Sequence, residues 1–278
     1  MKNSFKYFIL SVLLINSMSL LTAQAWTKSK GHGFYKLDFT RINSTDILNA
    51  NGDRVAYRSI ANNTFSFYGE YGLTDKITAI SYIPFFVNNV LAAKTGTPAL
   101  LGAKNSKFGD VDLAFRFALP VKKIAMTATL LFGLPTGDAK QINALYTGDG
   151  EFNQMLKIAA GMGAKRWWGQ TAIGFNNRTK GFSDEFRYDL EFGYKFFNDR
   201  FLAIFKINGI ESFNNGTVKV APTGLYSNNV EYMGVGPEFL YYANAKKTIG
   251  ISARIAGATK GQNVLAAPSM SVGFFAEL

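Results

Sequence analysis

Apolar and polar residues alternate with a period of two along most of this chain. Within 109–119 the odd positions are apolar and the charged residues stand at even positions, whereas within 185–196 the apolar residues take the even positions. A strand sends successive side chains to opposite faces, while a helix would scatter both kinds around its circumference. The alternation therefore predicts β-strands that each have one apolar and one polar face.

About twelve segments carry this pattern, each roughly ten residues long, which is the length that a tilted membrane strand needs. They span 33–42, 63–72, 76–86, 109–119, 123–133, 152–163, 166–176, 185–196, 200–212, 229–242, 247–256 and 268–278. After Trp26 no run of apolar residues is long enough for a membrane-spanning helix. A membrane would therefore be crossed by strands.

The connections between these segments alternate in length. Short ones with turn residues stand at 73–75, 120–122, 164–165, 198–199 and 244–246, and long ones stand at 43–62, 87–108, 134–151, 177–184, 213–228 and 257–267. An even number of antiparallel strands with tight turns at one end is typical of outer-membrane barrels. The alternative, a soluble β-sandwich, is disfavoured because its strands are usually shorter and its loops do not alternate in length.

The predicted fold class is therefore all-β: a transmembrane antiparallel up-and-down β-barrel of about twelve strands, with 268–278 closing against 33–42. No Pro- or Ser-rich linker divides the chain, so residues 26–278 are predicted to form one barrel domain. Pro84 and Pro237 stand inside predicted strands, where each removes a donor from the hydrogen-bond ladder. They mark either bulges or misplaced boundaries.

The parity of the pattern assigns side chains to the two faces of the wall. The side chains predicted to face lipid are Leu37, Phe67, Leu113, Phe115, Leu130, Ile158, Leu190, Phe192, Phe205, Ile251 and Val272. The predicted lumen-lining candidates are Lys36, Asp38, Glu70, Asp112, Arg116, Lys157, Arg187, Asp189, Glu191, Glu238 and Arg254. A slip of one residue in register would exchange the two sets.

Aromatic residues cluster near the predicted strand ends, where girdles at the two membrane interfaces are expected. This set comprises Tyr71, Tyr82, Phe85, Phe86, Trp167, Trp168, Phe196, Phe197, Phe201, Tyr241 and Tyr242.

The first 25 residues have the composition of a cleaved export signal. Lys2 and Lys6 precede a mostly apolar stretch, and 23–25 form an Ala-x-Ala cleavage site. The alternative is an N-terminal membrane anchor, for which the apolar stretch is short. Cleavage before Trp26 would leave 28 basic and 19 acidic residues, a net charge of +9. We therefore expect an exported protein in the bacterial outer membrane.

Composition argues against most catalytic and metal sites. The chain of 278 residues has no cysteine and a single histidine, His32, in a Gly-His-Gly sequence at the start of the first strand. Acidic pairs occur at Asp110/Asp112, Asp189/Glu191 and Asp184/Glu185, but the first two are interspersed with basic residues on the same face, which is typical of a polar lumen. We expect no enzyme activity, no metal and no cofactor.

The basic residues are dispersed and form no basic helix, so we expect no nucleic acid partner. The predicted partners are outer-membrane lipid, the anionic lipopolysaccharide and a small-molecule solute. The pattern does not predict an oligomeric state.

Several short motifs resemble the outer-membrane barrels of the phenol-degradation MetA family. They are Phe-Gly-Asp-Val-Asp-Leu at 108–113, Leu-Pro-Thr-Gly-Asp at 134–138, Thr-Gly-Asp-Gly at 147–150 and Phe-Ser-Asp-Glu at 182–185. The resemblance covers roughly residues 68–212. It implies a transporter that admits small, often aromatic or hydrophobic, compounds through the outer membrane. It implies no catalytic residues, and the chain ends in Leu278 where such barrels commonly end in Phe.

The predicted function is a passive channel for small neutral, hydrophobic or aromatic solutes. Twelve strands lie between the eight that side chains fill and the sixteen that leave an aqueous channel, so passage depends on what occupies the lumen. Two alternatives stay open: a structural or assembly component of the envelope, and a barrel hydrolase. Gly193 and Gly234 are expected to leave room inside the wall.

Overall fold

The computed structural model describes residues 24–94, 101–140 and 145–278 as one antiparallel β-barrel. Its strands are β1 (Gly33–Leu48), β2 (Arg54–Thr74), β3 (Ile77–Leu91), β4 (Ala103–Lys107), β5 (Val111–Ala118), β6 (Ala125–Leu134), β7 (Asn153–Gly163), β8 (Trp167–Arg178), β9 (Glu185–Phe196), β10 (Phe201–Ser212), β11 (Glu231–Tyr242), β12 (Ile249–Gln262), β13 (Val264–Leu265) and β14 (Ser269–Glu277). Among these residues, no helix has the length and apolar character needed to cross a membrane.

The wall closes as the pattern predicts. β14 pairs with β12 on one side and with β1 on the other, where Phe34 lies opposite Glu277 and Ile42 opposite Ser269. β1 also pairs with β2, so within the described chain the wall returns on itself without a free edge. Closure matters because hydrocarbon offers no hydrogen-bond partner to an unpaired backbone group.

The fourteen strands build a wall of twelve. β4 and β5 together form the partner of β3, since β4 pairs with 87–91 and β5 with 77–82. β13 and β14 together form the partner of β1. Each of these two composite strands is interrupted toward the long-loop end of the barrel, and the prediction of about twelve strands is confirmed.

Both prolines lie where pairing is irregular. Pro84 sits beside a register shift between β2 and β3 and faces the interruption between β4 and β5, where its carbonyl accepts the Gly109 N–H at 2.9 Å. Pro237 pairs with Phe205 of β10, but the pairing of β11 with β12 skips from Val235 to Glu238. Each proline therefore occupies a position at which one side of the ladder is open.

Several strands extend further than the alternation indicated. The segments 43–62, 87–108 and 257–267 were expected to be loops, yet β1, β2, β3 and β12 run into them and β4 and β13 lie within them. These extensions lie beyond the apolar band, at the long-loop end. Backbone pairing there needs no apolar face, so period two fades while the ladder continues.

The outer face is apolar over the middle of the wall. Nine of the eleven side chains predicted to face lipid are large apolar groups with substantial exposure, for example Leu190 at 51% and Val272 at 58%, and the other two, Phe67 and Ile158, are partly exposed.

The prediction of aromatic girdles needs correction at three residues. Tyr82 lines an internal chamber, and Trp168 and Tyr242 are buried inside the barrel. Neighbours such as Trp167 and Trp168 cannot both face lipid, because successive strand residues alternate.

The assignment of faces predicts the effect of an introduced charge. Leu190→Arg places a guanidinium in the apolar band and should lower the free energy of unfolding by about 2–4 kcal/mol. Chemical denaturation in a bilayer measures this cost. The neighbouring change Asp189→Asn acts on the opposite face and should cost less, because Lys157, the ion-pair partner, lies in a polar chamber. Equal costs would mean that the faces are misassigned.

Candidate functional site: the barrel lumen

The tight-turn end of the lumen is filled by an apolar cluster. Its buried members are Phe34, Trp168, Leu202, Ile204, Leu240, Tyr242 and Phe275, and Trp26 and Tyr68 pack against it. The Trp168 indole N–H donates to Glu191 at 2.8 Å, which satisfies its one polar atom. A Cβ on Gly193 would lie 2.1 Å from the Trp168 ring. Gly193 therefore makes space for this indole, and the expectation that it leaves room for solute is wrong.

The segment that precedes β1 enters the lumen at the same end. The Thr127 hydroxyl donates to the Gln24 carbonyl at 2.6 Å, and the Ala25 N–H donates to Gln170 Oε1 at 3.0 Å. Further along, the Lys28 N–H donates to Thr78 Oγ1 at 2.7 Å. These contacts reach strands β3, β6 and β8, so residues 24–28 lie across the inside of the wall.

Trp26 is the largest side chain of this N-terminal segment. Its carbonyl accepts a hydrogen bond from the Arg116 guanidinium at 3.1 Å. Its ring packs over Gly161, where a Cβ would lie 2.5 Å from the indole. The N-terminal segment is thus fitted to the wall by hydrogen bonds and by a glycine that admits the ring. The sequence contained no period-two signal that could have placed it in the lumen.

Above the apolar cluster lies a polar chamber of about 520 Å³. Lys36, Asp38, Arg116, Lys157, Asp189, Glu191, Glu238 and Arg254, all predicted lumen residues, line it together with Lys206, Tyr68 and Tyr82. Of the remaining predicted residues, Glu70 lies below the chamber against Arg116, and Asp112 and Arg187 lie toward the long-loop end on β5 and β9.

Ion pairs cross-link the strands around the chamber, and most of them join strands that are not adjacent in the wall. Glu238 of β11 accepts from Lys206 of β10 at 2.6 Å and from Lys36 of β1 at 3.1 Å. Lys157 of β7 binds Asp189 of β9 at 2.8 Å. The buried Arg116 guanidinium binds Glu70 at 3.1 Å, and Glu70 also accepts the Tyr68 hydroxyl at 2.5 Å. Because these carboxylates are engaged by cations, the network holds the wall together from inside.

A second apolar cluster lies at the long-loop end. Its buried members are Ile60, Leu91, Leu145, Leu225 and Leu265. Leu145 comes from the connection between β6 and β7, and Leu225 from the connection between β10 and β11. Asn105 anchors the first of these connections by donating to the Leu145 carbonyl at 3.1 Å. The chamber is therefore bounded by apolar groups above and below, and at both ends these come in part from segments outside the wall.

The glycine-rich motifs meet in space at this end. Asp110 accepts the N–H of Gly137 at 2.8 Å and the N–H of Asp149 at 2.9 Å. Thr147 donates to the Phe108 carbonyl at 2.9 Å and accepts the Asp138 N–H at 2.9 Å. The motifs at 108–113, 134–138 and 147–150 thus form one hydrogen-bonded loop framework.

Arg178 completes the framework as a buried hub. Its guanidinium binds Asp149 and Glu151 at 2.8 Å each and Glu185 at 2.9 Å. Three carboxylates from the connection between β6 and β7 and from the start of β9 are thereby drawn to one cation. The 182–185 motif joins the framework through Glu185.

None of the sequence-predicted acidic pairs forms a site with histidine. His32 is exposed at the tight-turn rim, with its backbone N–H donating to the Ser29 carbonyl at 3.0 Å. Asp184 accepts the Arg178 N–H at 3.0 Å, at the opposite end of the barrel. In the described residues no group of three or more acidic or histidine side chains is arranged to hold a metal ion.

The Asp110 carboxyl has an altered titration. Burial raises its pKa to about 6, the hydrogen bond from Gly137 opposes the shift, and the nearby Asp149 carboxylate adds to it. Burial likewise raises the pKa of Asp149, against the attraction of Arg178. Two acids, Asp110 and Asp149, thus lie close together in the loop framework, and the repulsion between their carboxylates is smaller when one of them holds a proton.

Solved outer-membrane proteins share this fold. An outer membrane channel from Pseudomonas putida F1 superposes with a TM-score of 0.69 at 12% sequence identity, over 94% of this chain and 100% of that one. The NanC porin superposes with a TM-score of 0.50 at 9% identity, over 88% of this chain and 100% of the porin. The likeness is one of fold. No family model matches the sequence, and a search of curated proteins found no match.

The raised pKa of Asp110 predicts that the loop framework is more stable in mild acid. For an acid whose pKa rises on folding from 3.8 to about 6, the stabilisation is present below the unfolded value and is lost as the pH passes the folded value. Hydrogen exchange at the Gly137 and Asp149 amides, corrected for intrinsic rates, should show stronger protection at about pH 5 than at about pH 7.5.

Asp110→Asn is the matched control, because the amide cannot ionise. Its protection should vary little over the same pH range. Protection that increases from acid to neutral pH in the unchanged chain would contradict the assignment.

Proposed function

We propose that this protein is a passive channel for small solutes in the bacterial outer membrane. The observation that carries the proposal is the polar chamber of about 520 Å³, enclosed by a membrane-type wall and bounded at both ends in part by segments outside that wall. Such segments can move without breaking the wall's backbone pairing. Passage would then require displacement of the N-terminal segment at one end and of the inward-folded loops at the other.

The outer-membrane location is supported by the wall itself. Its middle band presents large apolar side chains outward, and its strands close without a free edge. The proteins with a similar fold include an outer membrane channel and a porin. Export by a signal peptide cleaved before Trp26 fits this location. Residues 1–23 of that peptide lie outside the described residues. The cleavage would remove Gln24 and Ala25 with their contacts, whereas the contacts of Trp26 and Lys28 with the wall would remain.

We also propose membership in the phenol-degradation family of barrels. The support is the way its short motifs are used: they form the loop framework around Asp110 and Arg178 and are not scattered turns. The motifs thus have a shared structural reason to stand together in one chain.

The lining favours compact solutes. The chamber has charges of both signs beside Tyr68 and Tyr82, whereas the clusters at its two ends are apolar. A small neutral or aromatic compound can pass through both the apolar clusters and the polar chamber. It places no charge among apolar groups and does not compete for the ion pairs of the chamber. Lipopolysaccharide is a proposed neighbour at the long-loop end, and no nucleic acid is expected.

Liposome swelling with graded solutes tests the proposal. Trp26→Ala removes the ring that holds the N-terminal segment over Gly161 and should increase the flux of small neutral and aromatic solutes several-fold. Trp167→Ala is the matched control, because the same side chain is removed from the lipid face. Its flux should equal that of the unchanged protein.

The result also separates the alternatives. Absence of flux for every solute, in the unchanged protein and in Trp26→Ala alike, would favour a structural or assembly role. Ester or peptide turnover that survives loss of His32 but not of Asp112 or Asp189 would favour a hydrolase.

The chamber can be narrowed without touching its charges. Gly234 faces the lumen, and a Cβ there would meet Asn208, which lines the chamber, at an ordinary 3.5 Å. Gly234→Leu should therefore fold and should reduce the flux measured in the Trp26→Ala background. Gly169→Leu places the same side chain on the outer face, where a Cβ has space, and should leave the flux unchanged. Equal flux in the two variants would mean that solutes do not pass through this chamber.

A further inference from the structure

The net charge of this barrel is concentrated at its tight-turn end. The N-terminal segment, the five tight turns and the last two residues (26–32, 73–77, 119–124, 164–166, 196–200, 243–248 and 277–278) hold ten Lys and Arg against three Asp and Glu. The excess of seven is most of the +9 expected for residues 26–278. The lumen and the long-loop end are each close to balance.

The cations at this rim are largely unpaired. Among the described residues, Lys28 binds Glu277 at 3.3 Å and Lys247 approaches Asp199 at 3.8 Å, and no other rim cation has an ion pair. At the long-loop end, in contrast, Arg178 binds three carboxylates, and Arg54 and Lys260 each bind one. The long-loop end has nearly as many acidic as basic residues, whereas at the tight-turn rim the basic residues outnumber the acidic ones by seven.

Each tight turn combines its cations with exposed apolar groups. Leu73, Val121, Trp167, Phe197 and Ile249 stand beside the basic residues of the successive turns. Phe197 is 79% exposed, and its φ of 49° lies in the left-handed region that a bulky side chain rarely adopts. Apolar and aromatic side chains next to Lys and Arg are typical of a membrane interface, where the rings lie among the headgroups and the cations reach the phosphates.

We propose that this basic rim binds anionic phospholipid in the leaflet that surrounds the tight turns. Cations occur on every one of the five turns, and so they encircle the barrel. A folded protein partner would meet only part of such a ring, whereas the headgroup plane of a bilayer meets all of it. Negative lipid then supplies the counter-charge that the chain lacks. This inference rests on the proposed outer-membrane channel in one respect only: that proposal identifies the leaflet around the tight turns as the periplasmic one.

The three tryptophans make the rim a natural fluorescence probe. Trp167 faces lipid at the tight-turn end, while Trp168 is fully buried and Trp26 lies in the lumen. Phospholipid brominated near the top of its acyl chains quenches a tryptophan that it touches. Quenching by brominated phosphatidylglycerol and by brominated phosphatidylcholine, compared at equal mole fraction in mixed vesicles, reports which lipid is enriched beside Trp167.

The unchanged protein should show phosphatidylglycerol enriched about threefold to fivefold beside Trp167, and high salt should weaken the enrichment. The variant Lys122→Gln/Lys123→Gln/Lys165→Gln should lose most of it. The matched control, Lys94→Gln/Lys104→Gln/Lys219→Gln, removes three exposed lysines from the long-loop end and should keep it. Folding of each variant is checked by gel electrophoresis, in which an unheated, folded barrel migrates differently from the heated, unfolded chain.

Three results would overturn the proposal: equal quenching by both lipids in the unchanged protein, enrichment that persists in the turn-end variant, or equal loss in the control. The measurement does not depend on transport, so a barrel without flux could still bind anionic lipid. A barrel that conducts solute could equally fail this test.

Discussion

Satisfaction of backbone hydrogen bonds in hydrocarbon is the constraint on which this structure depends. No lipid can pair with an N–H or C=O group, so the wall must close, and closure between β14 and β1 constrains the total stagger of the strands around the barrel. Register in turn fixes which side chains face lipid and which face the lumen. The irregular positions, Pro84 and Pro237, fall where a ladder is already open on one side. Departures from ideal pairing are thus confined to a few sites.

A closed wall of twelve strands leaves an interior that must be filled or wetted, and this chain divides it into three layers. Apolar clusters occupy the two ends and an ion-pair network occupies the middle. The network links strands far apart in sequence, as Lys36 of β1 and Glu238 of β11 illustrate. Charge in the middle layer is close to balanced, and the excess positive charge of the barrel stands at the tight-turn rim.

The sequence was sufficient for the parts of the fold that repeat. Period two predicted the strands, their faces and the closure, because a membrane wall imposes the same alternation on every strand. It could not predict the path of residues 24–28, since their contacts with Thr127, Gln170 and Thr78 follow no period. It also mistook Gly193 for open space, because whether a glycine leaves a gap depends on its neighbour across the sheet, here Trp168.

The central claim is that segments folded into the lumen restrict access to the chamber from both ends, and thiol accessibility tests it most directly. The chain has no cysteine, so Ser271→Cys introduces one thiol into the chamber wall and Ser29→Cys introduces one at the exposed rim. The rate of modification by a small charged methanethiosulfonate reagent is then compared. The chamber thiol should react at least about tenfold more slowly than the rim thiol, as expected for a group reached only through transient opening. Equal rates would mean that the lumen is an open pore.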